Sequence, residues 1–322
     1  MKLWTEKTGL VQQAIEKKKG WIWPIEILIA ALVYIVCNIA MTVICLPAEI
    51  IVLFSDEAYR NAAMTGDMSA AMEAAMNVSM NSEVLMAWML FAEIAMIAVI
   101  LGFCVLFEKR KPSLVGFTKK GALSNYGWGM LIGFVMFAVV ELLSWAMGGL
   151  KLTVSESIPV GTIVLFFFGY MIQGMAEEVL CRGYLMVSVA RRHPVWVAIL
   201  TNSLIFAALH LSNPGITALA FVNLALFGIF MSLVYLRSGN IWMVGAIHSI
   251  WNFVQGNFFG VQVSGTAKTA SKFDSAMIEG RDLLNGGAFG MEGSLLVTIL
   301  LTAVILLVMF FPQKKTAEVV EN

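Results

Sequence analysis

Eight apolar stretches, at about 23–48, 84–107, 125–149, 159–190, 195–211, 216–236, 241–260 and 295–311, dictate what this chain can fold into. Each approaches the roughly 20 residues that a helix needs to cross a bilayer. With 59% hydrophobic and 13% charged residues, no soluble domain of useful size remains. The expected fold class is therefore all-α, a polytopic integral membrane protein of about eight transmembrane helices. The formal net charge is zero, so total charge selects no partner, and no nucleic-acid partner is expected. Cys37, Cys45, Cys104 and Cys181 all fall in apolar stretches, where cysteine behaves as a small hydrophobe, and no Cys-x-x-Cys metal pattern is present. The basic start followed by an apolar run is too long for a signal peptide and lacks a small-residue cleavage site, so it reads as an uncleaved first membrane helix.

Charge placement sets the expected topology. Under the eight-helix count fifteen basic residues, among them Lys17, Lys109, Arg110, Arg191, Lys314 and Lys315, lie on one side and five on the other, while Arg182 lies within the membrane. The positive-inside rule then puts both termini in the cytoplasm. On the other side, the segment 55–83 holds Met64, Met68, Met72, Met76 and Met80 at strict four-residue intervals. Such a stripe predicts a surface helix lying against the membrane or the other helices. Adaptable packing is the simplest use of it; a peptide-binding lid and a thioether site for Cu(I) are the alternatives. Gly129-x-x-x-Gly133 predicts a close helix approach.

Charged residues inside apolar stretches mark candidate sites, because hydrocarbon tolerates them only when they face protein or water. Glu177-Glu178-Val-Leu-Cys-Arg182 is such a cluster. Residues four apart share a helix face, so Glu178 is expected to pair with Arg182, while Glu177 points about 100° away and stays free for chemistry. Cys181 has no evident histidine partner and is assigned to packing. Two later helices carry Phe206-x-x-x-His210 and His248-x-x-x-Asn252. At 1.5 Å per residue, Glu177, His210, His248, Asn252 and Asn223 fall about 12–24 Å from their turns, in one band through the membrane interior. Asn223 reads as either a helix–helix hydrogen bond or a site residue. Glu26, Glu93 and Glu141 also lie in apolar stretches; for the last two, helix–helix hydrogen bonding, a supporting role and a transport path all remain open.

A convergent glutamate, two histidines and an asparagine suggest hydrolysis. A carboxylate accepts a proton from water, histidines orient that water, and an asparagine amide stabilises the oxyanion. In this order on successive membrane helices, Glu177-Glu178-x-x-x-Arg182, Phe206-x-x-x-His210 and His248-x-x-x-Asn252 resemble the CPBP family of CAAX prenyl protease type II and bacteriocin-processing intramembrane proteases. The stretch from Asn223 to Gly228 and on to Trp242 is similar to the family's linking helix, and the resemblance covers roughly residues 120–255.

The resemblance implies Glu177 as the general base, His210 and His248 as water-positioning residues and Asn252 as the oxyanion donor, with Glu178, Arg182, Phe206 and Asn223 in support. The active site is then expected inside the helical bundle. It leaves the metal open: zinc, if used, would be held by Glu177, His210 and His248, and metal-free glutamate catalysis is the favoured expectation. His-Glu-x-x-His, the usual zinc signature, is absent. The expected organisation is N-terminal helices with a methionine-rich loop over 1–120, a catalytic membrane core over 121–260, and an outer loop with a final helix over 261–322. The expected activity is endoproteolysis of a membrane-bound, lipidated or amphipathic peptide in the plasma membrane of a bacterium. Bacteriocin self-immunity or signal-peptide maturation is the alternative within the family. A proton-coupled transporter using Glu93, Glu141 and Glu177, and a non-catalytic scaffold, are the alternatives outside it; the absence of a sequence repeat weighs against an inverted-repeat carrier.

Overall fold

The computed structural model describes residues 2–310; Lys314 and Lys315, counted above on the cytoplasmic side, lie outside the described residues. Each apolar stretch coincides with a helix. Among the described residues five are long and apolar enough to cross a membrane: Trp23–Ser55, Glu83–Leu106, Ala122–Ala146, Val160–Ala190 and Ala218–Ser238. Val195–Leu209, Ile241–Phe253 and Leu295–Phe310 are shorter. The protein is a polytopic helical membrane protein.

The short helix Ile241–Phe253 is the centre of the bundle, with Ile241 and every residue from Val244 to Asn252 buried. It can be central because its neighbours present glycines. A β-carbon on Gly129 would sit 2.5 Å from Met243 O, and one on Gly133 2.6 Å from Ile247 O, so the Gly-x-x-x-Gly pair packs directly on this helix. On the other side Gly174 approaches Ser249 N, which a β-carbon would meet at 2.5 Å. These contacts fix the depth and rotation of His248 and Asn252. The first helix, Trp23–Ser55, is peripheral by contrast. Leu28, Leu32, Ile35, Val36, Ile39 and Val43 are all exposed on it, as expected of a helix whose outer face meets lipid.

Three regions differ from the sequence-based expectation. The methionine segment is two helices, Glu57–Thr65 and Met68–Asn81, broken at Gly66, which adopts φ 75°, and Asp67, whose carboxylate caps the second helix. Its five stripe methionines are 53–85% exposed, so they do not serve packing within the protein. The segment after residue 260 is more than a loop: Phe273–Met277 pairs antiparallel with Leu150–Val154, in register from Leu150 opposite Met277 to Val154 opposite Phe273. Ser275 on that strand donates to Glu141 Oε1 at 2.5 Å, which gives Glu141 a structural partner.

The third difference concerns the basic turns. Arg110 and Arg191, counted among the basic residues of the cytoplasmic side, are buried. Glu108 pairs with both, Glu26 lies 3.3 Å from Arg191 Nη2, and Arg110 donates to Gly183 O at 3.1 Å. Charges this deeply buried persist only when paired and hydrogen-bonded. The cluster fastens the start of the first helix, the 108–110 turn and the end of the Val160–Ala190 helix together.

Candidate active site

The Val160–Ala190 helix changes its winding where its charges sit. It is α-helical to Glu178, then π-helical over Val179–Met186, and α-helical again to Ala190. A π segment leaves backbone carbonyls without their ordinary partners and recurs at functional sites; here Arg110 takes Gly183 O. Arg182 lies inside the segment, fully buried, and donates through Nη1 to Glu178 Oε1 at 2.8 Å and through Nη2 to Gly228 O at 3.3 Å. The Glu178–Arg182 pair expected from spacing is therefore present. The Arg182 guanidinium also lies 4.9 Å from the Phe206 ring centroid, an attractive arrangement in a desolvated setting.

Glu178 Oε1 is shared with His248, whose Nδ1 lies 2.9 Å away. A carboxylate oxygen only accepts, so Nδ1 carries a proton and His248 turns Nε2 towards Glu177 Oε2, at 3.6 Å. Phe206 and Phe227 pack edge-on to the His248 ring, with centroids at 5.8 and 5.2 Å. The two adjacent glutamates thus differ in surroundings. Each has an Oε2 without a hydrogen-bond partner, but Glu178 is fully buried, whereas the Glu177 side chain is 21% exposed and lines a cavity.

His210 is the first residue beyond the helix Val195–Leu209, not a residue within it. Its Nδ1 lies 2.9 Å from Phe206 O, and the two ring centroids lie 4.9 Å apart with the planes tilted by 56°. Because a carbonyl only accepts, Nδ1 carries a proton and Nε2 is left for other partners. Asn252 donates through Nδ2 to Gln173 Oε1 at 2.9 Å, and Gln173 donates to Glu177 Oε1.

Glu177, His210, His248 and Asn252 line one cavity of about 220 Å³. Glu177 and His210 also border a second cavity of about 190 Å³ that reaches Tyr34 and Met41 on the first helix and Cys181 on the π segment. Asn223 is absent from the first lining. It donates to Glu292 O and Ser294 O at 2.7 and 2.8 Å and accepts from Thr298, anchoring the 286–294 loop.

Sequence reasoning missed Gln173 and Glu292. Gln173 was visible as a polar residue one turn before Glu177 in an apolar helix. Glu292 lies in the Gly-rich run from Gly286 to Gly293, where Gly290 adopts φ 92° and a β-carbon would meet Gln262 O at 2.2 Å. That turn brings Glu292 Oε2 to Ser264 N and Oγ at 2.7 and 2.8 Å and puts the residue in the cavity wall. Burial holds its carboxyl above the ordinary range, opposed by the Ser264 hydrogen bond and by His210.

Among the described residues no three His, Cys, Asp or Glu side chains are arranged to hold a metal ion.

Residues 159–254 match the family model described as Type II CAAX prenyl endopeptidase Rce1-like. This stretch is therefore similar to the CAAX-type protease domain, consistent with the CPBP resemblance. The match contains every residue of the three motifs and is narrower than the 120–255 expected; Glu93 and Glu292 lie outside it. No curated protein and no solved structure matches the chain.

Proposed function

We propose that a chain with this Rce1-like domain is an intramembrane endopeptidase that cuts a membrane-associated or lipidated peptide with glutamate-activated water. The observation that carries the reading is the convergence of Glu177, His210, His248 and Asn252 on one cavity, with a carboxylate oxygen of Glu177 unpartnered in it. Glu177 takes a proton from water held between it and the two histidines, and the water oxygen attacks the carbonyl carbon of the scissile bond. Asn252 Nδ2 donates to the oxyanion that forms. The tetrahedral intermediate collapses as Glu177 returns the proton to the leaving amine, leaving a new carboxyl and a new amino terminus. Glu178, held by Arg182, keeps His248 in the tautomer that turns Nε2 into the cavity.

The site sits inside helices of a membrane protein, which supports a substrate that is itself membrane-bound, lipidated or amphipathic. A peptide-maturation or self-immunity role uses the same chemistry. Both termini are proposed to be cytoplasmic, in a bacterial plasma membrane. The test is incubation of purified protein with membrane-peptide and prenyl-peptide libraries, with and without a chelator, and mass spectrometry of the products. New termini that vanish with Glu177→Gln and survive chelation support the reading. Cleavage that stops on zinc removal and returns with zinc replaces the metal-free step with a metal-dependent one. No cleavage of either library counts against the function.

A further inference from the structure

Gln173 connects the two functional ends of the cavity. It lies on the Val160–Glu178 helix one turn before Glu177, is 8% exposed, and lines the cavity itself. Its amide has two unlike ends, and its neighbours determine which end goes where. The Glu177 carboxylate only accepts, so Gln173 must turn Nε2 towards Oε1 of that group. Oε1 of Gln173 is then left facing Asn252, and an acceptor can be satisfied there only by a donor. Asn252 responds by turning Nδ2 to it, at 2.9 Å. The close approach at Gly174, whose β-carbon would meet Ser249 N at 2.5 Å, keeps the two helices near enough for this contact.

We infer, on the basis of the peptidase reading above, that Gln173 is a positioning residue that fixes the sense of the Asn252 amide and keeps an N–H available to the reacting carbonyl. Nδ2 has two N–H bonds; one is held by Gln173 and the other remains for the oxyanion. A half-turn of the Asn252 amide exchanges Nδ2 for Oδ1 with little change in shape. An Oδ1 aimed at developing negative charge repels it, so the wrong sense acts against the transition state and hardly affects the bound substrate. The sense runs outward from the charge on Glu177 through Gln173 to Asn252, which makes the base and the oxyanion donor one hydrogen-bonded unit.

The test is a kinetic cycle on a cleaved peptide with wild type, Gln173→Met, Gln173→Asn, Asn252→Ala and the double variant Gln173→Met with Asn252→Ala. Gln173→Met keeps the length and removes both polar ends; Gln173→Asn keeps the polarity and is one methylene too short to span both partners. Both single Gln173 variants are expected to lower kcat by about 10–10²-fold, less than the roughly 10²–10³-fold typical of losing an oxyanion donor outright. KM is expected to stay within about twofold, since the interaction is made in the transition state. In the Asn252→Ala background Gln173→Met is expected to cost less than about threefold more, because residues acting through one another are not additive. Wild-type kcat in both Gln173 variants, a loss confined to KM, or a full second loss in the double variant each overturns the inference while wild type still cleaves. Absence of cleavage by wild type overturns the peptidase reading and this inference with it.

Discussion

Two buried ion clusters share the Val160–Ala190 helix and differ in how completely they are closed. At its end, Glu26 and Glu108 meet Arg110 and Arg191, two acids against two bases, and Ser188 adds a hydroxyl. In its middle, Glu177 and Glu178 meet one arginine, with His248 between them. The balanced cluster binds three parts of the chain and leaves no acid in a cavity. The unbalanced one spends Arg182 on Glu178 and leaves Glu177, alone of the four acids, lining a cavity. A buried charge is expensive unless paired, so the contrast identifies which carboxylate the fold keeps for a purpose other than its own stability.

The largest expected effect comes from removing that carboxylate. Glu177→Gln keeps the shape and the contact with Gln173 and abolishes the proton acceptor. Cleavage is expected to fall about 10²–10⁴-fold, the usual worth of a general base, while the melting temperature stays close to wild type. Glu178→Gln breaks the comparison from the other side. It leaves Arg182 buried without its counter-charge and is expected to cost on the order of 3–5 kcal/mol of stability, together with activity, because His248 Nδ1 then faces a neutral amide oxygen instead of a carboxylate. Adding Arg182→Leu should restore part of the melting temperature and little of the turnover. A stable, inactive Glu178→Gln beside a destabilised Glu177→Gln would reverse the two assignments.

Helical spacing made the middle cluster legible and hid the other. Glu178 and Arg182 are four residues apart, Gly129 and Gly133 likewise, and each relation lies within one helix, so the period of the helix was enough to find it. Glu26, Glu108 and Arg191 meet only through tertiary packing. Counting basic residues for topology treats every arginine near a turn as solvated, which Arg110 and Arg191 are not. The same limit applies to Glu292, which needs the Gly290 turn to reach the cavity, and to Glu141, whose partner Ser275 comes from a strand 134 residues away. Asn223 was open between two readings from sequence, and its bonds to the 286–294 loop give it a structural one. The methionine stripe was legible as helix. Its failure to pack was not, because periodicity says which residues share a face and not what the face meets.

Arg110 tests whether the closed cluster is structural alone. Arg110→Leu removes the cation beside Glu108 and uncovers Gly183 O in the π segment. The expected cost is about 3 kcal/mol, at the low end for a broken buried pair because Arg191 still reaches Glu108. Thermal unfolding in detergent measures it. The turnover per folded molecule should change less than it does in Glu178→Gln. An equally inactive but stable Arg110→Leu would mean that the end of the helix governs the site and that the two clusters work as one.

The smallest expected effect is at Glu93, and it separates a protease from a carrier. Glu93 borders both cavities alongside Glu177, and its Oε2 is buried with no hydrogen-bond partner. A proton-coupled carrier would use such a pair of acids in sequence, so neutralising either would stop it. A hydrolase with one general base has no comparable need for the second. Glu93→Gln fills the same volume and brings an N–H donor that can face the cavity. Turnover is therefore expected within about threefold of wild type, a change of well under 1 kcal/mol in the barrier, against the loss of two orders or more in Glu177→Gln. Equal inactivation by the two substitutions would favour the carrier, and proton flux into proteoliposomes would then replace peptide cleavage as the activity to measure.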